Sequence, residues 1–206
     1  MSAAGGGAGL AGAPGLAGAS GREGGAGGGL LLMRPTAEHE SAVLAYREEF
    51  LEHGESMDGT ANLRAASSYA EWLDRLAANA SEATVSEGKV PATTFLGLRQ
   101  ADGALVGMID IRHRLNEYLL KHGGHIGYSV RRSQRRQGYA KAMLALALAF
   151  CRRPVAEGGL GLSRVLITCD KDNPASARTI LAFGGVLENE IPDEGNITQR
   201  YWVDLG

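Results

Sequence analysis

The sequence predicts an α/β fold: one mixed, mostly antiparallel sheet with helices on both faces. Three observations carry this. Apolar patterns of period two and period 3.6 follow one another in the order β-α-α-β-β-β-α-β-α-β-β. The turn Ala101-Asp102-Gly103-Ala104 makes a hairpin of two central strands, and a short polar loop does the same for the last two. Finally, the alternating strand His125–Arg131 runs through a turn rich in arginine, with Gly138, into a long Ala/Leu/Met helix.

Residues 1–29 are nearly all Gly and Ala. They offer little side chain to bury and lose the most backbone entropy on ordering, so a disordered tail is expected. Met33 is a candidate alternative start that would make this tail dispensable. Residues 30–206 are expected to form a single domain. Leu30–Arg34 reads as the first strand and stops at Pro35-Thr36. Thr36 then caps a helix over Ala37–Glu52, whose apolar face is Val43, Tyr46, Phe50 and Leu51. A polar loop, Gly54 to Asn62, precedes a second amphipathic helix marked by Tyr69, Trp72, Leu73 and Leu76. The loop Ser81 to Pro91 leads to strand Thr93–Arg99 and, through the hairpin turn, to strand Leu105–Arg112. Leu115 to His122 fits neither period, and Gly123-Gly124 breaks the chain before His125–Arg131. The long helix runs from about Gly138 to Val155 and ends at Glu157-Gly158-Gly159. Strand Arg164–Asp170 follows. Asn173-Pro174 opens a short helix to about Phe183, with Asn as N-cap and Pro in the first helical position. Gly184-Gly185 stops it, and strands Val186–Ile191 and Thr198–Leu205 flank the loop Pro192–Ile197.

The charge balance, 21 Lys+Arg against 23 Asp+Glu, argues against a nucleic-acid partner, which calls for a basic excess. No apolar run reaches the roughly 18 residues that span a bilayer, so no membrane association is expected. Two cysteines, Cys151 and Cys169, are too few for a disulfide scaffold, and the N-terminus lacks a basic region followed by a compact apolar core. Both read as reduced thiols of a cytoplasmic protein, with Cys169 buried in a strand. No metal site is expected.

The turn Arg131-Arg132-Ser133-Gln134-Arg135-Arg136-Gln137-Gly138 sits where a helix begins. A helix start leaves backbone N–H groups without partners at the positive end of the macrodipole, which is a seat for phosphate or pyrophosphate. Gly138 lets the backbone approach the ligand, and Arg131, Arg132, Arg135 and Arg136 supply charge-assisted hydrogen bonds.

The element order, together with Arg135-Arg136-Gln137-Gly138-Tyr139-Ala140, resembles the GNAT N-acetyltransferase superfamily, whose signature is Arg/Gln-x-x-Gly-x-Gly/Ala at the junction of the fourth strand and third helix. Asn173-x-x-Ser176 adds a second match. The segment Gly184 to Glu190 with Arg200-Tyr201-Trp202 looks like a bacterial branch of predicted acetyltransferases. The resemblance implies acetyl-CoA as the donor. Its pyrophosphate would sit on Gln137 to Ala140 with Arg131, Arg135 and Arg136; its pantetheine would lie along Tyr128-Ser129-Val130, with Asn173 and Ser176 holding the arm. The family's strands here, His125–Arg131 and Arg164–Asp170, splay apart to admit the thioester. A homodimer is compatible by family analogy.

The acceptor amine must be neutral to attack. For an alkyl amine with a pKa of about 10.4, deprotonation near neutral pH costs roughly 4–5 kcal/mol, so a nearby base is required. The family often places a Glu at the start of the fourth strand, where this chain has His125, the first choice for the base. His113, Glu117 and His122 are rivals in a polar segment that reads as acceptor wall. Many members carry a Tyr as general acid where this chain has Ile180, leaving Tyr201, Tyr128 or water for that role. Acidic residues at the end of the first helix and its loop (Glu48, Glu49, Glu52, Glu55, Asp58) and on the last hairpin (Glu188, Glu190, Asp193, Glu194) would attract a cation. Glu52, Asp58, His113, Glu188 and Glu190 are the expected acceptor contacts. The acceptor that suits them is a small cationic amine, best an aminoglycoside-type antibiotic acetylated for self-resistance. A protein or peptide amine is the alternative, and a CoA-binding module without catalysis is a third reading.

Overall fold

The computed structural model describes residues 29–193 and 195–206. Except for Gly29, the tail expected to be disordered lies outside the described residues, as does Glu194. The strands are β1 (Leu30–Met33), β2 (Ala92–Arg99), β3 (Leu105–Arg112), β4 (Ile126–Val130), β5 (Arg164–Asp170), β6 (Val186–Asp193) and β7 (Asn196–Asp204). They form one sheet in the order β1-β2-β3-β4-β5-β7-β6, antiparallel at every step except β4–β5. The helices are α1 (Glu40–Glu52), α2 (Tyr69–Asn79), α3 (Tyr139–Arg152) and α4 (Pro174–Leu181).

Both faces of the central sheet are covered, which explains why β2 and β3 are apolar almost throughout. On one face α1 and α2 bury Val43, Tyr46, Phe50, Tyr69 and Trp72 against Leu96, Leu98, Leu105 and Met108. On the other, α3 buries Tyr139, Met143, Leu144 and Ala147 against Phe95, Ile109, Ile111 and Ile126. Here α3 lies close to the sheet, because Gly97 and Gly107 are paired across β2 and β3 beneath Met143. A Cβ at Gly97 would fall 2.7 Å from the Met143 sulfur, and one at Gly107 would fall 2.7 Å from its terminal methyl carbon.

Several boundaries differ from expectation for physical reasons. The first helix begins with a 3₁₀ turn, Ala37–His39, in which the Thr36 hydroxyl and N–H both engage the His39 ring. The last hairpin is tighter than the loop Pro192–Ile197 suggested: cross-strand pairs continue to Asp193 and Asn196. A start at Met33 would remove three of the four residues of β1, which pairs with β2 from Leu30 to Met33 and buries Leu30 and Leu32. The segment of ambiguous period closes as a π-helical turn, Leu119–Gly123.

Candidate active site

Parallel strands β4 and β5 share one register pair, Ile126 with Ile167. Beyond it, Gly127–Val130 and Thr168–Asp170 diverge, and a cleft of about 900 Å³ opens between them. One end of it is the arginine turn; the other is walled by the π-turn, the loop after α1 and the end of β6.

At the arginine end, Gly138 has φ +85°, a conformation that favours glycine, and the position of its missing Cβ faces open space. Arg136 also lies in the left-handed region, at φ 61°. The first bond of α3 runs from the Ala142 N–H to the Gly138 carbonyl, so the N–H groups of Tyr139, Ala140 and Lys141 precede the helix's own ladder. Val130, Arg135, Arg136, Gly138, Tyr139 and Ala140 all line the cleft. Tyr139 is also a core anchor, its hydroxyl accepting from Arg99 at 3.2 Å. Gln137 is exposed and does not line the cleft; its amide donates to Gln134. Arg131 departs from expectation. Its Nε donates to Glu49, whose other oxygen accepts the Ser133 N–H at 2.7 Å. Burial alone would raise the Glu49 pKa, but the bonds from Ser133 and Arg131 outweigh it and hold the carboxyl below its usual range. Arg131 is thus a structural clamp on the turn and not a wall of the cleft.

Along the cleft, the Tyr128 and Ser176 hydroxyls share a hydrogen bond of 2.9 Å. Burial raises the Tyr128 pKa, and the bond with Ser176 opposes that shift. Asn173 caps α4 by accepting the Ser176 N–H at 3.1 Å and lines the cleft as well. Ser129 is buried, receiving the Tyr46 hydroxyl at 2.9 Å and donating to the Asp58 carbonyl. Ile180 is fully buried.

At the far end, the π-turn is held by three side chains from three strands. Arg200 of β7 donates to the Leu120 carbonyl at 2.9 Å, Thr168 of β5 to that of His122 at 2.8 Å, and Arg112 of β3 to that of Gly123 at 3.3 Å. Arg112 is itself fixed to the buried Asp110 at 2.9 Å. This brings Tyr118 and His122 to the cleft with their rings 5.5 Å apart. His122 Nδ1 lies 3.1 Å from an Asp193 carboxylate oxygen, off the line of an ideal hydrogen bond. Asp58 and Asp170 line the same end. Burial raises the Asp170 pKa, and the charges of Asp172, Asp58 and Asp193 raise it further.

Several expected site residues lie elsewhere. His125 is 6 % exposed and is not part of the cleft wall. Its backbone N–H donates to the Leu166 carbonyl at 2.7 Å, its Nδ1 accepts the Leu166 N–H at 2.9 Å, and its ring meets Trp202 edge-on. Burial lowers its pKa to about 4. It is a strand-packing histidine. Tyr201 is buried in the core and donates to Gln199 at 2.8 Å. Glu117 and Glu52 are exposed and outside the cleft. His113 is bound to the Thr93 hydroxyl at 2.9 Å, also outside it. On β6, Glu188 is taken by Arg200, and Glu190 by Lys171 at 2.7 Å and Gln199 at 2.8 Å. Of the expected acceptor contacts, Asp58 alone lines the cleft; Tyr118 lines it from the polar segment read as acceptor wall, and Asp170 was not anticipated. Asp170 gave one usable signal, as the carboxylate ending the strand expected to splay. Cys169, expected to be buried, is half-exposed in the cleft wall, and burial pushes its thiol up to about 11.

These residues fit acetyl-CoA. The helix start and Arg135 and Arg136 suit its phosphates, Gly138 leaves room for them, and the parted strands offer β4 backbone to the pantetheine amides. Among the described residues no His/Cys/Asp/Glu group suits a metal, and no helix is long and apolar enough to cross a membrane.

No curated protein matches the chain by sequence. Solved structures share its fold. Mycobacterium smegmatis RimJ in complex with CoA-disulfide is 21% identical, with a TM-score of 0.63 over 86% of this chain and 82% of that one. The ribosomal-protein-S5-alanine acetyltransferase of Vibrio fischeri is 15% identical, with 0.58 over 85% and 92%. A chimera of the Vibrio cholerae spermidine N-acetyltransferase SpeG with hSSAT is 13% identical, with 0.54 over 85% and 96%. The family model of the acetyltransferase (GNAT) domain matches residues 30–186, and with the cleft described above it makes the chain a member of the GNAT family, an N-acetyltransferase that takes its acetyl group from acetyl-CoA.

Proposed function

We propose that the protein acetylates a primary amine of a small molecule carrying more than one positive charge, with an aminoglycoside-type antibiotic the first candidate. The observation that carries this is the convergence of Asp58, Asp170 and Asp193 on the end of the cleft where His122 stands. Three carboxylates in one wall repel one another: the Asp170 pKa is raised first by burial and then by neighbouring charges that include Asp58 and Asp193, and a polycation relieves that repulsion.

The chemistry follows from the residues. When bound, acetyl-CoA supplies an activated acetyl group on a thiol leaving group. Asp58 and Asp170 hold and orient the cationic acceptor. His122 removes a proton from the attacking amine, and the Asp193 carboxylate, 3.1 Å from Nδ1, offsets the charge it gains. The Tyr128 hydroxyl, bonded to Ser176, is the donor in the cleft that can return a proton to the leaving sulfur. The walls formed by Phe50 and Ile126 limit water.

One observation favours a second reading. Tyr118 and Leu120 beside His122 are 67 % and 44 % exposed, an apolar lip that suits the first residues of a peptide presenting its α-amine. A panel of aminoglycosides, polyamines, amino acids and short peptides, assayed by thiol release from acetyl-CoA, separates the two. Turnover concentrated on polycations supports the leading reading, turnover confined to peptides replaces it, and none with any acceptor points to a CoA-binding module.

A further inference from the structure

The arginine turn pairs with an anion of the chain itself. Glu55, in the loop that follows α1, lines the cleft and spans the arginine turn. One of its oxygens accepts from Arg132 at 3.0 Å and from Arg135 at 3.1 Å; the other accepts from the second Arg135 nitrogen. Arg135 is further oriented by donating from Nε to the Val130 carbonyl at 3.0 Å and by lying over the Phe50 ring at 5.9 Å. Arg136 has no ion pair among the described residues.

The turn thus carries two carboxylates in different settings. Glu49 belongs to α1, its side chain is 15 % exposed, and it lies outside the cleft, bound to Arg131 and Ser133. Glu55 is in a loop, 23 % exposed, and stands on the cleft side of the same turn. A phosphate arriving at the start of α3 competes with Glu55 for Arg135, which lines the cleft, and does not compete with Glu49. The loop backbone is independently held: Arg64 donates to the Glu55 carbonyl, Trp72 to that of Thr60 at 2.8 Å, and Arg75 to that of Asn62 at 2.9 Å. The Glu55 side chain can therefore swing away while the loop stays in place.

We infer that Glu55 is an internal stand-in for the donor's phosphates. It keeps Arg135 extended and ready, and acetyl-CoA displaces it on binding. Glu55 is a positioning residue that acts through the arginines, and this role does not depend on which acceptor is used. Its carboxylate lowers donor affinity by the strength of the pairs that must be broken, and in return the seat does not collapse onto other anions.

Calorimetric titration of the full chain with CoA tests this. Glu55→Gln should bind CoA about 3- to 10-fold more tightly than the unaltered protein, the range expected for releasing exposed charge pairs. Inorganic pyrophosphate should follow the same trend, while pantetheine, which carries no phosphate, should bind the two equally. Glu49→Gln should give no gain. Equal or weaker CoA binding by both Glu55→Gln and Glu55→Ala, in protein with an unaltered melting profile, would show that Glu55 only orients the arginines and overturn the inference. A pantetheine gain equal to the CoA gain would overturn it too.

Discussion

The two ends of the cleft are built differently. The donor end is one continuous stretch, Val130 to Lys141, in which a strand end, a turn and a helix start supply backbone N–H groups, a glycine with φ +85° and the arginines. The proposed acceptor end is assembled from four separate segments: Asp58 after α1, Tyr118 and His122 at the start of the π-turn and within it, Asp170 at the end of β5 and Asp193 at the end of β6. A contiguous site is fixed by local backbone geometry, whereas a dispersed one is fixed by tertiary contacts such as those from Arg112, Thr168 and Arg200. The donor end therefore depends on one segment, and the proposed acceptor end on how four segments pack.

The largest effect should come from removing the proposed base. His122→Ala should lower kcat by about 10²- to 10⁴-fold, the range for a general base, with CoA affinity within about threefold in a direct titration. Undiminished turnover would place the base outside the π-turn. Next, Gly138→Val puts a branched side chain at φ +85° and into the space open to the donor. CoA binding should weaken by about 10- to 100-fold, since left-handed strain of about 1–3 kcal/mol adds to the steric block, while acceptor binding by equilibrium dialysis should hold. Equal losses at both ends would mean that the two are not separable.

Asp170→Asn sharpens the acceptor side. The Asp170 pKa is raised in the fold, so ionising it costs the native state above the carboxylate's ordinary pKa. The substitution should therefore raise Tm slightly at pH 7–8 while raising the acceptor KM about tenfold; a lower Tm would contradict the repulsion argument. The smallest effect on activity is expected at His125. His125→Ala should keep kcat within about threefold but cost about 1–3 kcal/mol of stability, from the unpaired Leu166 N–H. Because the folded pKa of His125 is lowered from 6.5 to about 4, the unfolded chain takes up a proton first as pH falls through that window. The unaltered protein should lose stability there, and the alanine variant should lose less.

The fold and the donor end were legible because their signals are local: period, caps and the Arg135–Ala140 motif. The acceptor end was not, because sign of charge does not tell which way a side chain faces. Glu188 and Glu190 share an acidic hairpin with Asp193, yet only Asp193 lines the cleft; the other two are neutralised by Arg200 and Lys171. His122 and His125 are three residues apart, and the π-turn together with Gly124 at φ +60° sends one to the cleft and the other to the Leu166 N–H. Neither period-based reading nor analogy with a strand-start Glu could separate them.

Gly97 and Met143 should behave as an epistatic pair, whereas a Cβ at Gly107 would also fall 2.7 Å from the Ser129 carbonyl oxygen. Alanine at Gly97 pushes on the Met143 sulfur, one helical turn after Tyr139, and shifts the start of α3 without touching any group that meets the donor. Its effect on CoA affinity should shrink when Met143 is shortened to Ala, whereas Met143→Ala alone should leave a cavity. Selection for altered donor affinity in this scaffold would then favour paired changes at Gly97 and Met143, neither of which lines the cleft.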